Sequence, residues 1–453
     1  MTRRELLKIL TLYGLAELMS LEASELEAKK VVIVGAGTGG MVCVSLLKLL
    51  APKLELTIIA PNARHVYQAG QTFVAAGLMQ ENEIMKNTKD LLGNTHWIQE
   101  KVLSFEPENN SLICSNQEKV RYDFLIVAMG LEYDFNKIKG LHKEDIGTKN
   151  ITSVFLNDLN KGSCKGGVLT HQWYKDIAHH AKNKKTRVLF THPTGAIKCG
   201  GVTKSVIYLL LDYLKGNSPQ GGDDLSENVE IVFAKPGTKF LGVDIYNEIL
   251  VERSKSLKVK MQFDHVLDKI DTDKKIAYFE HKYKLVEGDE DFDAWEDTIK
   301  KERVDISYDF IHIVPSMQAV EALRTSKLSK KSGLQIGYCE VDWKTLQHKS
   351  YKNVFSVGDS AGIHLGKTAA SATYQAKVAV ENIIHIMKEE KLINFDGYSA
   401  CPIKLNYKEV LFAEFNYKGY TQRKVQNPKK PSAKLFDIDL HESPTDYWKS
   451  VSS

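Results

Sequence analysis

The sequence predicts an α/β fold: two tandem Rossmann-like, dinucleotide-binding domains followed by a C-terminal region. Three observations predict it. An apolar strand, Val31-Val32-Ile33-Val34, runs into Gly35-Ala36-Gly37-Thr38-Gly39-Gly40 and then into an apolar helix from Met41 to Leu50. A second strand, Tyr122 to Ala128, ends in Met129-Gly130. A third, Asn353 to Val357, ends in Gly358-Asp359 ahead of a helix from Thr368 to Met387. The order strand, glycine turn, helix gives the GxGxxG spacing its meaning.

Size and composition agree with this layout. The chain has 453 residues, 43% of them apolar, and is too long for one hydrophobic core. Its 61 basic side chains nearly balance 57 acidic ones, and the net charge of +4 argues against nucleic acid as a partner. No uncharged apolar run reaches the roughly 18 to 20 residues of a spanning helix, so membrane contact would be peripheral. Six cysteines are too few for a disulfide scaffold but enough for redox chemistry. No metal site is expected.

Residues 1–28 read as a leader. Thr2-Arg3-Arg4-Glu5-Leu6-Leu7-Lys8 and the mostly apolar stretch to Leu21 resemble a twin-arginine export signal, which predicts a protein that is periplasmic or peripheral on the inner membrane. Glu17 interrupts the stretch and no small-x-small cleavage site follows. An uncleaved amphipathic surface helix on the cytoplasmic face is the alternative.

The first domain is expected over residues 29–139 and 340–392. Gly35 would make the tight turn, Gly37 would let a pyrophosphate approach the backbone, and Gly40 would pack the helix against the strand. The helix N-terminus adds unpaired N–H groups and a positive dipole end. The strand Glu55–Ala60 ends in Ala60 where an acid would bind the adenosine ribose, and Asn62 is the candidate replacement. The second domain is expected over residues 140–339. Its strand, Arg187 to His192, runs into Pro193-Thr194-Gly195-Ala196-Ile197-Lys198-Cys199-Gly200-Gly201, which breaks the glycine spacing and argues against NAD(P)H as electron donor. Cys199 opens a helix running from Val202 to Leu214, with Lys198 beside it and Lys204 less than two turns on. Both lysines and the helix dipole favour the thiolate.

These features, with Arg64-His65-Val66-Tyr67-Gln68-Ala69-Gly70, Thr345-Leu346-Gln347-His348, Lys367-Thr368-Ala369-Ala370 and Tyr398-Ser399-Ala400-Cys401-Pro402, resemble the sulfide:quinone oxidoreductases, with features of the flavoprotein subunits of flavocytochrome c sulfide dehydrogenases. The resemblance covers nearly the whole chain after the leader and implies a fold like that of the FAD/NAD-linked disulfide reductases. It implies FAD held by Gly35, Gly37, Gly40, Asn62, Arg64, Gly130, Gly358 and Asp359, with Lys367 stabilising charge on the reduced ring. It also implies a redox cysteine pair that takes sulfide to sulfane sulfur or polysulfide. Cys199 matches the first cysteine. Ser360 stands where many quinone-linked members carry the second, whereas Gly337-Tyr338-Cys339-Glu340-Val341-Asp342 resembles the cytochrome-linked segment that carries it. The pair is therefore assigned as Cys199 and Cys339, with Cys164 as a third sulfur carrier and Cys43, Cys114 and Cys401 as structural. No cysteine stands near Tyr67-Gln68, so the FAD is expected to be non-covalent there.

Residues 393–453 are expected to serve the acceptor, a quinone or else cytochrome c. Phe412, Phe415 and Tyr417 are candidates for an apolar acceptor pocket, and the tail from Ala433 to Ser453 for weak peripheral membrane contact. The acidic stretch from Glu287 to Asp293 is a solvated loop or, on the sharper reading, a docking site for a basic cytochrome. An NADH:quinone reductase and a flavin-binding sensor or docking subunit without turnover are the rival readings, and homo-oligomerisation is left open.

Overall fold

Val, Ile, Leu and Phe fill the strands on both faces, as parallel sheets covered by helices require. The computed structural model describes residues 28–157, 164–195, 197–284, 299–365, 367–422, 427 and 429–452. The export-signal motif and the acidic stretch from Glu287 to Asp293 lie outside the described residues.

In chain order the parallel strands are β1 (Lys30–Val34), β2 (Glu55–Ile59), β3 (His96–Ile98), β4 (Phe124–Val127), β5 (Ile151–Thr152), β6 (Thr186–Thr191), β7 (Val229–Ala234), β8 (Lys260–Gln262), β9 (Phe310–His312) and β10 (Val354–Ser356). They sort into two five-stranded sheets of order β10-β4-β1-β2-β3 and β5-β9-β6-β7-β8. In the first, Val31 aligns with Leu56 and Phe124, and Phe355 with Ile126. In the second, Leu189 aligns with Val232 and Ile311. The predicted α/β class of tandem Rossmann-like sheets is what the chain adopts.

Six helices of two turns or more among the described residues are α1 (Thr38–Leu50), α2 (Gly166–Ala181), α3 (Val202–Leu214), α4 (Asp244–Ser256), α5 (Ala369–Met387) and α6 (Ser443–Val451). Helices α1 and α5 pack on one another and on the first sheet, burying Met41, Leu47, Ala379 and Ile383 in one core. Helices α2 and α3 bury Trp173, Tyr174, Tyr208 and Leu210 in another. Cys43 and Cys114 belong to the first core, as packing residues.

An antiparallel ribbon, Glu132–Asp134 against Ser316–Gln318, crosses between the two sheets. The C-terminal region forms an antiparallel hairpin of β11 (Ser399–Lys404) and β12 (Val410–Asn416), extended by β13 (Gly419–Tyr420). Strand β11 lies along α3, where the Lys404 N–H donates to Ser205 Oγ at 3.0 Å. Helix α6 returns to pack on α1. No helix among the described residues is long and apolar enough to cross a membrane.

Candidate functional site

The glycine turn after β1 is closed below and open above. Gly35 has φ +109°, and a Cβ there would stand 2.3 Å from the Ala128 carbonyl oxygen. A Cβ on Gly40 would stand 1.9 Å from the Gly35 oxygen, whereas one on Gly37 would meet nothing within 4 Å. Backbone packs tightly beneath the turn and leaves its upper side free, at the N-terminus of α1, which no side chain caps. A pyrophosphate fits such a cradle. The neighbouring turns are equally open or fixed: a Cβ on Gly130 would meet nothing within 4 Å, and the Gly358 N–H is held by Gln375 Oε1 at 2.7 Å. Asn62 is half-buried, with its carbonyl accepting from Thr88 Oγ1 at 2.8 Å. Arg64 is exposed on the short ribbon that pairs it with Asn87.

The loops that follow β6 and β10 meet one another. The Cys199 N–H donates to the Lys367 carbonyl at 2.9 Å, and Lys198 Nζ lies 3.3 Å from Asp359 Oδ2. Lys367 is buried, donates to the Asp359 carbonyl at 2.6 Å and to the Ala361 carbonyl at 3.3 Å, and lies 3.8 Å above the Tyr338 ring. Burial pushes its pKa down to about 8, although Asp359 pulls the other way. The crossing ribbon closes the side of this junction: the Lys198 ammonium lies 5.7 Å from the Tyr133 ring centre, and its backbone N–H meets Met317 Sδ at 3.2 Å. One lysine from each sheet's loop thus converges on Asp359.

Cys199 itself has φ +51°, a conformation that costs a side-chain-bearing residue about 1–3 kcal/mol and that clusters at functional sites. Burial pushes its thiol up to about 12 and outweighs the opposing pull of Lys198. The half-buried loop thus opposes the thiolate expected from the sequence.

The sulfur beside Cys199 belongs to Cys401. The Gly201 N–H bonds the Cys401 sulfur, a Cβ on Gly201 would stand 2.5 Å from Cys401 Sγ, and the Cys401 thiol acts electrostatically on that of Cys199. Cys339, the partner expected from sequence, has its own setting. Its backbone is clamped under the turn after β10, accepting from Gly362 N–H at 2.9 Å and donating to the Ser360 carbonyl at 2.9 Å. Its thiol faces Ser356 and Glu340. All six cysteines are free. Cys164 is buried in the first core with its N–H on Glu81 Oε1 at 3.0 Å, and burial first, then Glu81, pushes its thiol up to about 12.

The three aromatic candidates for an acceptor pocket separate, because residues three apart on a strand face opposite ways. Phe412 packs against the first core and Phe415 against the second. Tyr417 sits against Trp343, with ring centres 4.5 Å apart, and Phe395, and its hydroxyl donates to the Trp343 carbonyl at 3.0 Å. They do not line one pocket. The sequence marks Cys401 only as part of a Cys-Pro element, read as structural. Sequence pattern does not carry the docking of β11 along α3, which turns that sulfur toward the Cys199 loop. The Lys198–Asp359 pair and the role of Gln375 carried no sequence signal of their own.

Residues 29–161 match the family model described as pyridine nucleotide-disulphide oxidoreductase. Over 427 residues the chain is 31% identical to a mitochondrial sulfide:quinone oxidoreductase of Dictyostelium discoideum, covering 93% of this chain and 85% of that protein. A mitochondrial sulfide:quinone oxidoreductase of Mus musculus is 28% identical over 86% of this chain and 78% of its own length. Among solved structures, the sulfide:quinone oxidoreductase of the hyperthermophilic bacterium Aquifex aeolicus superposes with a TM-score of 0.70, at 18% identity, over 93% of this chain and 90% of that one. At that identity the superposition speaks for the fold.

Proposed function

Because the chain belongs to the sulfide:quinone oxidoreductase family, we propose that it oxidises sulfide to sulfane sulfur through Cys199 and Cys401, with FAD as cofactor and a quinone as acceptor. The observation that carries the reading is the Cys401 sulfur lodged against Gly201, two residues from a Cys199 held at positive φ.

In the oxidised enzyme the two sulfurs form a disulfide. Hydrosulfide attacks one of them, the S–S bond breaks, and its electron pair stays on the other cysteine as thiolate, leaving a persulfide on the first. The persulfide's outer sulfur has been oxidised to the sulfane level, and the thiolate carries the electron pair. Bound FAD supplies the two-electron acceptor for that pair. Around it the chain's own residues hold charge in place. The N-terminus of α1 and the open face over Gly37 suit the pyrophosphate. Lys198 and Lys367, both directed at the Asp359 loop, put positive charge where electron density accumulates. Burial raises both thiols, so the thiolate formed on disulfide opening is a strong electron donor rather than a resting anion. A quinone acceptor calls for peripheral contact with the membrane that dissolves it.

The test is anaerobic rapid mixing of the FAD-loaded oxidised protein with sulfide, following flavin absorbance. Cys199→Ser and Cys401→Ser should each slow bleaching by about 10³-fold or more, the scale on which loss of a covalent catalytic group is felt, while Cys339→Ser bleaches within a few-fold of the parent. An active Cys401→Ser with an inactive Cys339→Ser would overturn the assignment. Mixing the reduced protein with a soluble ubiquinone analogue or with cytochrome c then identifies the acceptor.

A further inference from the structure

At the carboxyl ends of β6 and β7, beside the Cys401 strand and against the Cys199 loop, two buried lysines and a half-buried histidine lie together. Lys204, in the first turn of α3, is 1% exposed, and its ammonium is bonded to the Gly200 carbonyl at 2.7 Å. Lys235, just past β7, is 5% exposed, and its ammonium is bonded to the carbonyls of Pro236 and, at 3.2 Å, Gly237. His192, just past β6, turns Nδ1 to the Pro193 carbonyl at 3.3 Å, while its buried Nε2 has no hydrogen-bond partner among the described residues. Aromatic rings surround these groups: Lys204 lies 5.6 Å from the centre of Phe233 and 5.9 Å from that of Phe240, Lys235 lies 5.7 Å from Phe263, and His192 packs edge-on to Phe233.

Charge does not balance here. The two lysines repel one another, and both act against protonation of His192. The opposing groups are the Cys401 sulfur, facing Lys204, and Asp264, facing Lys235. Among the described residues no carboxylate bonds either ammonium, and the hydrogen bonds they make are to neutral carbonyls. Burying one unpaired cation is costly, and burying two side by side is a cost that a bound anion removes. The positive end of α3 adds to the same field. We propose that Lys204, Lys235 and His192 form a binding site for a small dianionic oxyanion of the sulfate or phosphate type. The lysines would supply charge and donors, and His192 Nε2, as its N–H tautomer, a third donor. The proposal does not rest on the cysteine pair, since binding is read without turnover.

Burial lowers Lys204 to about 7 and Lys235 to about 8, and an anion favours their protonated forms, so affinity is highest below pH 7 and falls as pH rises through 8. The experiment is calorimetric titration of the oxidised FAD-loaded protein with sulfate and with inorganic phosphate, against chloride at matched ionic strength. Saturable binding at one site is expected, weakened at least ten-fold by Lys204→Met and by Lys235→Met. Lys239→Met, which removes an exposed lysine paired with Asp244, should leave it unchanged. Sulfate that binds no better than chloride, or equally to Lys204→Met and the parent, overturns the proposal. If the lysine variants fail to fold, the pH dependence in the parent decides, and affinity that does not fall between pH 6.5 and 8.5 overturns it. A parallel titration with a nucleoside monophosphate distinguishes the source: tighter binding than inorganic phosphate assigns the anion to a phosphate ester, and weaker binding to the free ion.

Discussion

Lys367 shows how a single buried charge governs this site. Its ammonium is bonded to two carbonyls and lies over Tyr338, and burial holds its pKa at about 8. An unfolded lysine titrates near 10.4. Between about pH 8 and that value the folded protein has released a proton that the unfolded chain still holds, so this group makes stability rise with pH across the window and lowest beneath it. Lys367→Met should therefore flatten the climb of Tm with pH over that range, leaving the share owed to Lys204 and Lys235. Parallel curves for parent and variant would refute the depressed pKa. Lys367 was legible in the sequence as a residue at the entry to α5, but its burial was not, because burial comes from Tyr338 and the Asp359 loop rather than from its neighbours in the chain. The same limit explains Cys401. A Cys-Pro dipeptide announces a strand edge, whereas the sulfur's neighbour is set by tertiary docking of that strand on α3. Cys199, by contrast, stood out from its own loop.

Among elements, α6 carries more than its length suggests. Burial holds His65 at about 4, so it is neutral and has one donor and one acceptor. Its Nδ1–H can then donate to the Ala36 carbonyl at 2.7 Å while Nε2 accepts from the Tyr447 hydroxyl at 2.6 Å. The Tyr447 oxygen in turn accepts from Thr38 Oγ1 at 2.9 Å. Thr38 and Ala36 both belong to the turn that cradles the pyrophosphate, so the chain of bonds leaves that turn, passes through the last helix and returns to it. A further tie, Lys404 to Asp439 at 2.9 Å, fixes the C-terminal segment to β11. Tyr447→Phe removes a donor from a buried ring nitrogen, a loss of about 1–3 kcal/mol. It should lower Tm and speed FAD release from the purified protein by about ten-fold, measured by trapping free flavin in gel filtration or by fluorescence recovery. Unchanged release would mean that α6 covers the turn without holding it. The strand, glycine turn and helix at residues 31–50 were readable from sequence because each depends on local pattern. The embrace by α6 was not, since 382 and 409 residues separate its partners.

For the whole molecule the decisive feature is that the two parallel sheets meet through loops rather than through a packed interface at the site. The Cys199 N–H on the Lys367 carbonyl, Lys198 on Asp359, and Met317 under Lys198 are the links. A cofactor resting on the Gly35–Gly40 turn and extending to the Asp359 loop would bind where these links converge, and its binding energy would add to the folded state by mass action, about 2.7 kcal/mol at a hundred-fold excess over Kd. Coupling of this kind has a spatial signature in amide exchange. On addition of FAD to the cofactor-free protein, backbone amides of the Gly35–Gly40 turn, the Lys198–Gly201 loop and the Gly358–Lys367 loop should slow together. The antiparallel sheet of His265–Asp271, Ile276–Lys284 and Ile299–Ser307 should stay as it was, since its pairing involves none of these loops. Protection confined to the Gly35–Gly40 turn would separate the cofactor site from the cysteines and leave the reaction without a path between them. Protection that spreads to the Lys198–Gly201 loop places Cys199 in the same cooperative unit as the cofactor, as electron transfer from its thiolate requires.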